Sequence, residues 1–134
     1  MTEATNKLHF VDTVATPAAK FAHAVEVPPG ARLLFTSGLT GVALDGKLRE
    51  GCEAQAVQAW ENLLEVLRGA GMGEEDIVRM TTYCVNATDN TIARRVRNDF
   101  IPGYDKASTF LVVAALASPD CLFEIEAVAA KVDS

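Results

Sequence analysis

Histidine and cysteine are scarce in this chain, with two His and three Cys among 134 residues. Cys52, Cys84 and Cys121 fall in no Cys-x-x-Cys or Cys/His spacing, which argues against a zinc site and a disulfide framework. Thiols without a framework suit a reducing compartment, so a cytoplasmic location is expected. No run reaches the ~18 apolar residues of a membrane-spanning helix. Residues 1–6 lack a basic stretch leading into an apolar one, so no secretory signal is expected. Basic side chains are in deficit, 12 Lys plus Arg against 18 Asp plus Glu, for a net charge of −6. A general nucleic-acid binder needs a concentrated positive surface, and this balance disfavours that class.

What is present reads as one globular domain over residues 1–134. Hydrophobic residues are 49% and charged residues 22% of the chain. Residues 7–12 and 21–27 suggest short strands. Pro28-Pro29-Gly30 is a turn, and residues 32–37 read as the returning strand of a hairpin with 21–27. Asp45-Gly46 marks a turn inside an irregular excursion. Residues 53–70 carry Val57, Trp60, Leu63, Leu64 and Leu67 at helical spacing, and Gly71 and Gly73 stop that helix. Glu74-Glu75-Asp76 reads as a solvated acidic turn.

Residues 78–85 are rich in Thr, Tyr and Val and predict a strand. Asp89 or Asn90 can cap a second helix with Ile92, Val96 and Phe100 as its apolar stripe. Arg94, Arg95 and Arg97 then read as a solvated face. Residues 109–116 are apolar on both faces, and 121–131 form a long final strand with Glu124 and Glu126 on one face. The order predicts an α+β fold with a mixed sheet and two helices on one face. The strand that is apolar on both sides then needs a further cover: a second copy of the chain is the simplest, and a central place in a thick monomer core is the alternative.

Four stretches resemble the RidA (YjgF-type) family of reactive intermediate deaminases. They are Phe35-Thr36-Ser37-Gly38; Glu61-Asn62-Leu63-Leu64-Glu65-Val66-Leu67 with its exit Gly69-Ala70-Gly71; Ile77-Val78-Arg79-Met80-Thr81-Thr82; and Val113-Ala114-Ala115-Leu116 followed by Glu124-Ile125-Glu126-Ala127-Val128-Ala129. The resemblance covers roughly residues 18–131. It implies a chorismate-mutase-like fold and a homotrimer with a central barrel, outer helices and clefts between subunits. It implies hydrolysis of 2-imino or 2-enamino acids to 2-keto acids and ammonia, with no cofactor and no metal. Other members are assigned to aminoacrylate handling, 2-aminomuconate deamination, translation inhibition or RNA cleavage.

By the resemblance, Glu124 positions the hydrolytic water. Gly38 lies beside the substrate, and Phe110 contacts it through backbone groups. Phe21 stands where the family usually has Tyr, and Ala19-Lys20 replaces the usual Gly-Pro. The largest departure is Ser108, which occupies the position of the substrate-binding arginine in the family's Pro-Ala-Arg-Ser. An arginine there grips a carboxylate with two prongs, whereas a serine offers one hydroxyl. Lys106 is the nearest cation in sequence. The expected activity is therefore hydrolysis of a small imine, enamine or related C=N compound other than the usual 2-imino acids, in a less basic cleft. A non-catalytic trimer that binds a metabolite or a protein is the alternative. RNA cleavage or translation inhibition is weakened by the acidity. Serine-hydrolase chemistry at Ser108 lacks a motif, since neither His9 nor His23 sits in one. The three cysteines read as buried structural thiols, with Cys52 open to a depressed pKa at a helix start.

Overall fold

The computed structural model describes residues 5–19, 21–103 and 106–133. Lys20, half of the Ala19-Lys20 departure, and the first four residues lie outside them. Strands β1 (Lys7–His9) and β2 (Ala24–Glu26) form a small ribbon of their own. β3 (Arg32–Phe35) and β4 (Leu39–Thr40) follow, then helix α1 (Cys52–Gly69), strand β5 (Ile77–Cys84), helix α2 (Asn90–Phe100), strand β6 (Ala107–Val112) and strand β7 (Phe123–Lys131). The main sheet runs β3-β7-β5-β6, with β4 also paired to β7. β5 and β6 are parallel and the other pairings antiparallel, so the sheet is mixed as expected.

The alternation along β7 decides the layering. Phe123, Ile125, Ala127 and Ala129 are buried against the helices, while the residues between them are not. Ala56, Ala59, Trp60, Leu63 and Leu67 of α1 and Val96 of α2 complete that core. Trp60 is 1% exposed and stacks on Phe100 with ring centroids 5.8 Å apart, which joins the two helices. Arg95 reaches across to Glu53 and joins them again. Both helices thus cover one face, as the element order implies.

Two local contacts hold the excursion after β4. The buried Gln55 side chain donates to the carbonyls of Arg49 and Asp120 and accepts the Leu122 N–H. A Cβ at Gly41 would lie 2.4 Å from the Cα of Gln55, so only glycine lets the loop approach α1 this closely.

Several expectations are corrected. Residues 21–27 and 32–37 do not form a hairpin: β2 pairs with β1, and β3 pairs with β7. Pro28 and Pro29 fix φ and lack donors, so the link cannot make a tight hairpin turn, while β7 offers β3 a long free edge. The central barrel is not formed. The sheet is open, with β3 and β6 at its two ends and not paired with each other. β6 stops at Val112, short of residues 113–116. Asp89 makes no side-chain cap, because a 3₁₀ turn over Ala87–Asp89 runs directly into α2. The acidic turn is not simply solvated either. Asp76 is buried and accepts the Gly73 N–H at 2.9 Å, and Glu74 pairs with Lys106.

The face away from the helices carries an unequal load. Leu33, Phe35 and Leu111 are exposed there, Phe35 to 70%. Between them the Tyr83 hydroxyl donates to Glu126 at 2.5 Å. That bond, with burial and the charge of Glu126 in support, raises the Tyr83 pKa.

Replacing Trp60 with Ala should cost about 3–5 kcal/mol in chemical denaturation, the scale for emptying a large core site. Gly41→Ala should cost about 1–3 kcal/mol by forcing the loop off α1. In a Tyr104→Phe background, absorbance titration should show Tyr83 ionising above the ordinary value of about 10. Glu126→Gln should move it back down. The sign follows from the raised folded value: this bond's stabilisation is present below the unfolded tyrosine pKa and is lost as pH rises through the folded one.

Candidate functional site

The residues singled out in the sequence fall into two groups, on opposite faces of the sheet. Ser108 is the register partner of Met80, and Phe110 of Thr82. Met80 and Thr82 in turn oppose Ala127 and Ile125, which face the helices. Ser108 and Phe110 therefore lie on the helix side, at the β6 edge. Glu124 alternates with Ile125 and lies on the other side.

On the helix side, β6 and α2 diverge to leave a cavity of about 180 Å³. Phe21, Ser108 and Phe110 all line it. The segment before β2 reaches this place because the Ala22 N–H donates to the Lys106 carbonyl at 2.7 Å. Ala18, Ala19 and Phe21 make one wall, and Thr82 adds a hydroxyl to the floor. The opposite wall is α2, which contributes Arg94 and Arg97 three residues apart on one helix face.

The three arginines do not form a uniformly solvated face. Arg97 is buried, 8% exposed, and donates to Asn98 at 3.2 Å. Arg95 is engaged by Glu53. Arg94 is exposed at the cavity mouth. Sequence reasoning missed these side chains as cavity residues. The available signal was their i, i+3 spacing on the helix that immediately precedes the Ser108 strand. Lys106 does not take the arginine's place: its side chain is fully buried, with Nζ 3.6 Å from Glu74.

On the other face, Glu124 is half-buried between two neighbours in register, Thr40 of β4 and Tyr83 of β5. Its carboxylate lies over the backbone of Gly38. A Cβ at Gly38 would sit 2.6 Å from Glu124 Oε2, so the approach depends on glycine. Gly38 and Glu124 are therefore brought together. Phe21, Ser108 and Phe110 are also brought together, but the two groups do not meet within one chain.

The cysteines are buried and free among the described residues. Cys52 departs from expectation, since its thiol is pushed up rather than down. It bonds the neighbouring Cys84 thiol, and burial and the charge of Asp89 add to the shift. Burial likewise raises Cys121. No cluster of His, Cys, Asp and Glu able to hold a metal occurs among the described residues, and no helix there is long and apolar enough to cross a membrane.

The comparisons with known proteins agree with this architecture. A RutC family protein of Aquifex aeolicus is 30% identical over 117 residues, covering 86% of this chain and 91% of that one. The crystal structure of the Rid family protein YyfB from Yersinia pestis superposes with a TM-score of 0.81 at 33% identity, covering 93% of this chain and 98% of the other. RidA from an Antarctic Psychrobacter superposes with a TM-score of 0.70 at 25% identity, covering 91% and 96%. The family model described as endoribonuclease L-PSP matches residues 12–131, and the chain belongs to that family, the RidA (YjgF-type) proteins.

Proposed function

We propose that this chain is a cofactor-independent hydrolase that releases ammonia from a small imine, enamine or related C=N compound. The observation that carries this reading is the Glu124 carboxylate held over Gly38. A carboxylate in that place can take a proton from water as it attacks the C=N carbon. It can then return the proton to the departing amine, and the carbinolamine collapses to a carbonyl and ammonia. Gly38 leaves room for a substrate at the carboxylate. Ser108, Phe21 and the backbone at Phe110 bind the rest of the molecule. Ser108 serves as a hydrogen-bonding hydroxyl, not a nucleophile, because no histidine lines its cavity.

Since the two groups lie on opposite faces of one sheet, a site that joins them takes residues from two copies. The proposed assembly is a homotrimer with a cleft between neighbouring subunits. It is supported by the exposed apolar side chains of the edge strands, Leu33 (53%), Phe35 (70%), Leu111 (43%) and Val112 (50%). The RNA reading draws no comparable support, because Arg95 is engaged by Glu53 and Arg97 is buried.

Ammonia release from freshly generated 2-iminobutanoate and from a neutral imine of similar size tests the chemistry. Glu124→Gln should lower the better of the two rates by about 100-fold or more, the scale of a lost general acid–base group, without lowering the melting temperature. Gly38→Ala should reduce the rate as well, because its Cβ displaces the carboxylate. A wild-type protein silent on both compounds would leave a binding trimer as the better account. Light scattering should report a trimer, and Phe35→Glu should shift it towards monomer. An unchanged mass for that variant would count against assembly through this edge.

A further inference from the structure

The net charge of −6 makes the α2–β6 cavity an electrostatic exception. Two guanidiniums line it, and no described acidic side chain does. Arg94 makes no ion pair with any described residue, whereas Arg95, one position on, is taken up by Glu53. The helix that carries Arg94 is fixed on both flanks, by that ion pair and by the Phe100–Trp60 stack. Arg94 is therefore a positioned cation on an anchored helix, at the mouth of a cavity whose strand side presents Ser108.

We infer that Arg94 supplies the anion recognition that Ser108 cannot, making this cavity a site for a small monocarboxylate with a short apolar tail. This rests on the hydrolase reading and specifies its substrate as an acid, held from the helix instead of from the strand. The guanidinium takes the carboxylate, and the Ser108 hydroxyl donates a further hydrogen bond. Phe21, Phe110, Ala18 and Ala19 cover the tail. The size suits such a ligand. A cavity of about 180 Å³ is below the ~300–1,000 Å³ of drug-sized sites and admits an acid of only a few carbons. Moving the cation from strand to helix also displaces the bound charge, so the acids accepted should differ in shape from those of arginine-bearing relatives.

Titration calorimetry with 2-oxobutanoate, a stable analogue of the keto-acid product, and with its neutral amide tests this directly. The wild type should bind the acid about tenfold or more tightly than the amide, the difference expected for a charge-assisted contact. Arg94→Gln should lose that advantage and leave amide binding unchanged. Arg94→Lys should keep part of it, and Arg94→Gln with Ser108→Arg should recover it. Because Arg94 is exposed, the variants changed at Arg94 alone should melt as the wild type does. Equal binding of acid and amide by the wild type, no measurable binding of the acid, or full acid affinity in Arg94→Gln would each overturn the inference. The hydrolase reading fails separately. Arg94-dependent binding without ammonia release would retain this site and remove the enzyme. Glu124-dependent ammonia release indifferent to Arg94 would do the reverse.

Discussion

The antiparallel pairing of β7 with β5 sets which side chains meet the helices and which do not. From Ile125 opposite Thr82 to Ala127 opposite Met80, every second residue enters the core. Between them, Glu124 opposite Tyr83 and Glu126 opposite Thr81 are delivered to the other face. A slip of one residue would drive both carboxylates under α1 and expel Phe123 and Ile125 from the core. The cost of burying two charges without partners makes that register unreachable. The single irregularity, where the pairing shifts between Ile77 and Arg79, lets both Ile77 and Val78 be buried at the strand's start. The strand regains its alternation before Met80, so the site register is unaffected.

From this constraint follows an asymmetry. One face of the sheet is closed by Trp60, Leu63, Leu67 and their neighbours. The other presents glutamates, a tyrosine and exposed apolar edges. The candidate site residues divide in the same way. Glu124 and Gly38 belong to the open face, and the Ser108 cavity to the helix side of the β6 edge. Under the proposed function, a site that joins the two groups takes residues from two copies, with the apolar edges as the surfaces between them.

Much of the fold was legible because its elements are long and periodic. Both helices, the strand beginning at Ile77 and the final strand stand within a few residues of where spacing puts them. The place of Glu124 on the face opposite Phe123 and Ile125 was legible from the alternation along the final strand. Short or weakly patterned stretches were not. Three-residue strands such as β1 and β2 have no period to read, and their partner is chosen by long-range pairing. The helix arginines were misjudged because a charge on an amphipathic helix reads as solvated unless a neighbouring element converts that face into a cavity wall. Lys106 was the nearest cation to Ser108 in sequence, but tertiary packing buries it, with Nζ 3.6 Å from Glu74.

The sequence by itself determined the α+β class, the two-helix layer and the family. Each of these rests on local periodicity or on residue identity at a fixed spacing. Only the tertiary structure decided that the sheet stays open, that β3 joins β7 and not β2, and that Ser108 and Arg94 line one cavity while Glu124 lies on the other face. Those outcomes depend on which distant strand offers an unpaired edge and on the parity of each register. Such properties belong to pairs of segments, and no single segment encodes them.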